Sequence, residues 1–352
     1  MTELPAVSRY PLRVGIVGFG YWGPNLLRNF SEHPDASVVW VCDIDEERLR
    51  LARRRMPSLR TTDTVDDVLA DDVDLVAFAT PVNTHYTLAM RALEAGKHIL
   101  VEKPLCTSVT EAEEIECASL RAKKMVFLDH TFVFTPAVQK MAEIANDSAF
   151  GKLLYYDSVR VNLGLFQSDI SVLWDLAPHD LSILDYLLGG LIPKTVGCVG
   201  ARHFGDVENI AYLTLRYGSD FMAHIHLNWL APVKIRQVLL GGSQRLLLYN
   251  DLDSVEKIRV FDKSILIENH SVGTRHRQLV EYRLGDMYAP MISTTEALKI
   301  EVDHIVNCLL RCAQPISGIS AGKHIVEILE AAEKSLRNEG APEPIGTRTA
   351  VR

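Results

Sequence analysis

The sequence predicts an α/β chain in two parts: a doubly wound parallel sheet over residues 1–130, then an α+β domain with a large, mostly antiparallel open sheet over 131–352. Three observations predict it. Up to residue 130, continuous apolar runs alternate with helical patterns, as strands buried on both faces of a parallel sheet do. Beyond it, apolar and polar residues alternate along long segments, the period-two signature of strands with one wetted face. A chain of 352 residues, 47% hydrophobic and 23% charged, is also long enough for two cores.

The first strand and helix lie in "LRVGIVGFGYWGPNLLRNF", from Leu12. Between them stand Gly18, Phe19, Gly20, Tyr21, Trp22 and Gly23, a GxGxxG in the order strand, turn, helix. Gly18 allows the tight turn, Gly20 lets backbone approach a pyrophosphate, and Gly23 lets helix and strand pack closely. The next strand, "SVVWVCD" (37–43), ends on Asp43, twenty residues beyond Gly23, where an acid accepts hydrogen bonds from the adenosine ribose and repels a 2′-phosphate. NAD is therefore expected over NADP, with Arg48 as the opposing signal. The run "LRLARRRM" (49–56) is expected to be a solvated helix face.

Strands "VDLVAFAT" (73–80), "HILVEKP" (98–104) and "MVFLDH" (125–130) follow, separated by helices at 84–96 and 109–124. Ligands of such sheets lie at the carboxyl ends of the strands. Three polar clusters fall there: "TPVNTH" from Thr80 to His85, Glu102-Lys103-Pro104, and Asp129-His130. A lysine at a strand mouth ordinarily snorkels or pairs with an acid, here Glu102; Lys103 also lies on the cofactor side of the sheet.

The second domain reads as strands at 153–163, 194–202, 209–217, 221–230, 234–242, 245–250 and 257–262. Helices at 174–188, 296–311 and 322–340 are expected to cover one face of that sheet and leave the other open. The first of them, in "VLWDLAPHDLSILDYLLGG", sets Asp175 and His179 one turn apart beside a leucine run. Either they are a helix cap and a satisfied core histidine, or they are an acid and a base of a site. Arg160, Asn162, His224, His226, Asn228, Lys234 and Arg236 alternate with apolar residues. His224 and His226 share a face but lack a third ligand, so no metal is expected. Lys234 and Arg236 either line a solvated or inter-subunit surface or meet phosphates. Segment 269–294 reads as a loop near the site or an oligomer contact, and "APEPIGTRTAVR" as a mobile or docking tail.

The 37 basic and 45 acidic residues give a formal charge of −8 with no long basic block, against nucleic acid as partner. No apolar run reaches the about 18 residues of a membrane span, and no leader is evident, so a cytoplasmic protein is expected. Six scattered cysteines without a CxxC indicate neither a disulfide framework nor zinc; Cys308 and Cys312 are expected as core thiols.

The glycine motif, Asp43, "EKP" and "WDLAPHD" together resemble the glucose-fructose oxidoreductase/inositol dehydrogenase (Gfo/Idh/MocA) family, over nearly the whole sequence. The resemblance implies a Rossmann domain binding NAD and a substrate domain. It implies that Lys103, Asp175 and His179 surround the reacting hydroxyl and the nicotinamide, and that Pro104 is cis. Thr80, Pro81, Asn83, His85, Glu102 and His130 then lie near the cofactor, His130 standing where many relatives have asparagine. The sheet face without helices implies a homo-oligomer, dimer or tetramer. The implied reaction is oxidation of a secondary sugar hydroxyl: His179 removes the proton, Lys103 stabilises the alkoxide, and Asp175 orients His179 or holds a neighbouring hydroxyl. Asn162, Lys234 and Arg236 complete the substrate side. "GYWGPNLLRNF", "LVEKPL" and "WDLAPHDLSIL" look like the branch acting at C3 of nucleotide-linked amino sugars such as UDP-GlcNAc. The alternatives are a ketosugar reductase of deoxysugar or antibiotic biosynthesis, an inositol or free-sugar dehydrogenase, and a non-catalytic NAD-binding sugar sensor.

Overall fold

The computed structural model describes residues 10–164, 170–218, 220–270 and 277–346. It divides into two compact units. One ends its first segment at Thr135 and takes back Thr295–Glu330; the other runs Pro136–Thr294 and resumes at Ala331.

The first unit opens with β1 (Leu12–Val17), α1 (Gly23–Glu32), β2 (Ala36–Cys42), α2 (Glu46–Arg55), β3 (Arg60–Thr62), α3 (Val65–Ala70), β4 (Leu75–Phe78), α4 (Val82–Glu94), β5 (His98–Glu102), α5 (Val109–Ala122) and β6 (Val126–Asp129). All six strands are parallel, in the order β3-β2-β1-β4-β5-β6. Winding starts at β1, runs outward to β3 and then crosses to β4, so the switch point lies between β1 and β4, where a ligand crevice is expected. Every residue of β4 and β6 is buried, which is why these strands read as continuous apolar runs. In α2 only Leu49 and Ala52 are buried, and its arginines form the solvated face expected of it.

The second unit contains α6 (Pro136–Ala145), β7 (Leu153–Leu163), α7 (Val172–Leu187), β8 (Thr195–Ala201), β9 (Ile210–Arg216), β10 (Met222–Asn228), β11 (Leu230–Gly242), β12 (Leu246–Asn250), β13 (Ile258–Phe261), β14 (Ser264–His270), β15 (Arg277–Arg283) and β16 (Met287–Tyr288). With β17 (Glu343–Pro344), nine of these strands form one sheet, β16-β13-β12-β11-β7-β10-β9-β8-β17, antiparallel except between β7 and β10. Residues 264–270 and 277–283, expected in part as a loop, instead pair as a separate two-stranded sheet; 271–276 lie outside the described residues. Of the expected tail, Glu343–Pro344 adds the edge strand β17, and 347–352 lie outside the described residues.

The expected place of one helix is overturned. Helix α8 (Ala297–Arg311) does not cover the second sheet: Leu298, Val302, Ile305, Val306 and Leu309 share a core with Leu12, Phe30 and Val38 of the first unit. Its apolar stripe is indifferent to which sheet it meets, so periodicity could not assign it. Helix α9 (Ile319–Arg337) is divided at Glu330 between the two units. Cys308 is buried as expected, but Cys312 is exposed and ends α8 in a left-handed conformation, φ 56°. Among the described residues no helix is long and apolar enough to cross a membrane.

Candidate active site

In the first unit β1 runs into a turn that glycine alone permits. Gly18 has φ +92°, and a Cβ there would stand 2.4 Å from the Ala79 carbonyl oxygen; one on Gly23 would stand 2.3 Å from the Gly18 carbonyl oxygen. Gly20 differs. The nearest atom to a Cβ there is Arg48 Nη1 at 3.7 Å, so nothing inside the protein demands glycine, and its bare backbone is an open cradle. Helix α1 starts with no side-chain cap and no acid in its first turn, which leaves its dipole unopposed toward an anion, although Pro24 brings no N–H and the Asn25 N–H donates to the Trp22 carbonyl at 2.9 Å. These features fit a dinucleotide pyrophosphate.

Asp43, 5% exposed, closes the turn from below: Oδ2 accepts the Phe19 N–H at 2.5 Å and Oδ1 the Asp45 N–H at 2.9 Å. Arg48, half exposed, lies 3.4 Å from Asp43 and 3.5 Å from Asp45. The acid expected to hold ribose thus also holds the glycine turn.

Beyond β4, Thr80 is half-buried while Pro81 and Asn83 are exposed at the start of α4. Thr84 Oγ1 lies 2.7 Å from both Thr80 Oγ1 and the Pro81 carbonyl, donating its one hydrogen to the carbonyl and accepting from the Thr80 hydroxyl. His85 is 1% exposed, and both ring nitrogens meet carbonyls at 2.9 Å, Nδ1 that of Pro104 and Nε2 that of Thr80. It lies between the turn after β4 and the turn after β5 and, as a neutral ring with one N–H, donates to one of the two carbonyls. Burial, with Lys103 adding to it, pushes its pKa down. Lys103 is half-buried and its bond to Pro104 is cis. Glu102 accepts the Lys103 N–H at 3.1 Å. His130, 3% exposed, shares a hydrogen with Ser317 Oγ at 2.7 Å; burial and then Lys103 push its pKa down to about 3.

In the second unit α7 begins two residues earlier than the sequence suggested. Ser171 is its N-cap residue, and the Asp175 N–H already donates to the Ser171 carbonyl at 3.0 Å, so Asp175 is not a cap. Pro178 sits inside the helix; lacking an N–H, it leaves the Trp174 carbonyl without its helical donor. Asp175 and His179 are half-buried and, four apart, lie on one side of α7. Asp180 points the other way. It is 2% exposed and accepts from Ser158 Oγ at 2.6 Å and Arg160 Nε at 2.5 Å, anchoring α7 to β7.

Asn162 is half-buried and follows Ser158 and Arg160 along that face of β7. Lys234 and Arg236 do not form the equivalent pair their spacing suggested. Lys234 is exposed in the irregular part of β11, between Leu230 and Ile235, whereas Arg236 stands opposite Arg160 and lies 3.3 Å from Asp251. A bulge breaks the alternation that spacing assumes. His224 and His226 occupy the other face, His224 3.5 Å from Asp157 and His226 stacked 4.4 Å from Tyr212. No group of the described residues is arranged to hold a metal ion.

Sequence reasoning missed Asp180 with Arg160, and Glu301. Both carry the same signal, an acid within an apolar helical stripe: Asp180 in "LAPHDLSIL", and Glu301 beside Leu298, Val302 and Ile305.

Two family models match the chain: an oxidoreductase family with an NAD-binding Rossmann fold over residues 12–145, and a GFO/IDH/MocA C-terminal domain over 138–247. A UDP-N-acetylglucosamine 3-dehydrogenase of Acidithiobacillus ferrooxidans is 30% identical over 59% of this chain and 64% of its own length. An inositol 2-dehydrogenase of Paenarthrobacter aurescens is 28% identical over 62% of this chain and 68% of its own. The crystal structure of GenD2 from gentamicin A biosynthesis, in complex with NAD, matches with a TM-score of 0.80 at 22% identity, covering 97% of this chain and 98% of that one.

Proposed function

The chain belongs to the Gfo/Idh/MocA family of oxidoreductases and carries its NAD-binding domain, and on that premise we propose that it oxidises the C3 hydroxyl of a nucleotide-linked N-acetylhexosamine such as UDP-GlcNAc. NAD, when bound, supplies the acceptor for the hydride leaving the carbinol carbon. His179 takes the hydroxyl proton, a task suited to an imidazole near neutral pH. Lys103 stabilises the negative charge that develops on the same oxygen. Asp175 orients His179 or accepts a neighbouring hydroxyl, and Asn162 and Lys234 meet the rest of the substrate. The Gly18–Gly23 turn and the start of α1 hold the pyrophosphate, while Thr80, Pro81, Asn83 and Glu102 shape the nicotinamide end. Asp43 holds the ribose hydroxyls and disfavours a 2′-phosphate. Arg48 does not offset this, because two carboxylates already share its charge.

The observation that carries the reaction class is one chain holding Lys103 at the end of β5 and Asp175 and His179 one turn apart on α7. The substrate class is supported by the relative that is a UDP-N-acetylglucosamine 3-dehydrogenase. The face of the second sheet bearing Tyr212, His224 and Val199 is the surface we assign to a homo-oligomer contact; Tyr212 and Val199 are 38% and 52% exposed there. The test is NADH production over free sugars, inositols, sugar phosphates and UDP-sugars, with mass spectrometry of the product. A UDP-sugar giving a product two hydrogens lighter is expected. Turnover of inositol or glucose alone overturns the substrate, and no turnover of any sugar overturns the enzyme.

A further inference from the structure

Three carboxyl groups of the first unit meet at the ends of β5 and β6: Glu102, Asp129 and, from α8, Glu301. Glu301 is 1% exposed, and neither of its oxygens has a hydrogen-bond donor among the described residues. Asp129, 2% exposed, is well supplied: it accepts the indole N–H of Trp22 on Oδ2 and the Thr131 hydroxyl on Oδ1 at 2.5 Å. Glu102 accepts the backbone Lys103 N–H on Oε2 at 3.1 Å and stands opposite Asp129 in the parallel register of β5 and β6, and Asp129 neighbours both glutamates. A carboxylate buried without donors is among the costliest groups in a protein, and three ionised together would repel one another at low dielectric. The other titratable groups nearby are Lys103 and His130, and burial holds His130 neutral.

We propose that this cluster carries two protons at neutral pH, on Glu102 and Glu301, each in a hydrogen bond to Asp129, and that the neutral Glu102 positions Lys103. The Glu102 carboxyl acts in both directions: its carbonyl oxygen accepts the Lys103 N–H, and its hydroxyl donates to Asp129. Asp129 in turn holds Trp22. The lysine turn and the glycine turn are thereby joined through Asp129. Burial first, then the neighbouring carboxylates, push Glu102 and Glu301 well above the usual carboxylate range. What the positioned Lys103 does rests on the dehydrogenase reading; the protonation of the cluster does not.

The test is infrared spectroscopy of the full chain at neutral pH, without cofactor or substrate. Protonated carboxyls give a carbonyl band that shifts in heavy water, and Glu301→Gln should remove about half of it, one proton of two. Absence of the band in the unsubstituted protein, or its full persistence in Glu301→Gln, overturns the proposal. Stability gives a second readout. An acid raised in the fold makes stability fall as pH climbs above its unfolded pKa, so log K of unfolding should rise with a slope about one unit per pH unit steeper than in Glu301→Gln. Parallel curves overturn it. Neither measurement involves turnover, so a chain inactive on every sugar would refute the proposed reaction and leave this result standing.

Discussion

Arg160 Nε lies 2.5 Å from Asp180 Oδ2, and both side chains are at most 4% exposed. The pair joins β7 to α7 at the residue following His179, so the turn of α7 that carries the proposed base is anchored by a buried ion pair. Ser158 completes the set on Asp180. Removing one partner of a buried pair leaves an uncompensated charge. Arg160→Met should therefore cost about 3–5 kcal/mol by denaturant unfolding, and lower kcat in whatever protein remains folded. A loss below about 1 kcal/mol would show the pair to be dispensable.

The glycines of the turn should separate folding from cofactor binding. Gly18→Ala meets the Ala79 carbonyl at 2.4 Å in a left-handed conformation and should lower Tm sharply. Gly20→Ala meets nothing within 3.7 Å. It should melt like the unsubstituted protein and yet bind NAD about tenfold or more weakly, about 1.4 kcal/mol. Titration calorimetry beside thermal melts reads both, and unaltered NAD affinity in Gly20→Ala would remove the cradle.

Asp43 should set the preference for NAD. Because it also buckles the glycine turn, alanine is too harsh a probe; Asp43→Asn keeps an acceptor and removes the charge. NAD should bind more tightly than NADP in the unsubstituted chain, and the gap should shrink about tenfold in Asp43→Asn, from losing repulsion of the 2′-phosphate. Equal affinities before substitution would refute the assignment.

Lys103→Ala and His179→Ala should each lower kcat about a hundredfold or more with NAD affinity and Tm nearly intact. A purely structural His179 would show the reverse, a lower Tm with near-normal kcat. Steady-state rates run beside melts distinguish the two.

Acid should destabilise the first unit through two histidines. Burial, with Lys124 adding to it, holds His98 down at about 4, its Nδ1 accepting the Met125 N–H at 3.0 Å; burial and Lys103 hold His130 at about 3. The unfolded chain protonates both near 6.5, so the stability they contribute is full above that pH and is lost as pH falls toward the folded values. Each should cost about 2 kcal/mol by pH 5. His98→Gln should flatten the acid limb of a Tm-against-pH curve, and superimposable limbs would show that His98 does not titrate with unfolding.

Legible in the sequence alone were the parallel first sheet, most strands of both large sheets though not the edge strands β3, β16 and β17, and the residues with chemistry at the strand ends. Gly18, Asp43, Lys103 and the pair Asp175 and His179 are legible because each depends on local spacing: a turn, a strand end, a helical i and i+4. Tertiary packing settled which core α8 joins, that Arg236 is committed to Asp251 while Lys234 is exposed, that His85 is buried between two turns, and that Glu102 stands beside Asp129 as well as Lys103. The physical reason is common to all four. Periodicity states that a face is apolar or that a charge needs a partner, but partners separated by scores of residues are selected by packing and by burial, and neither has a local signature.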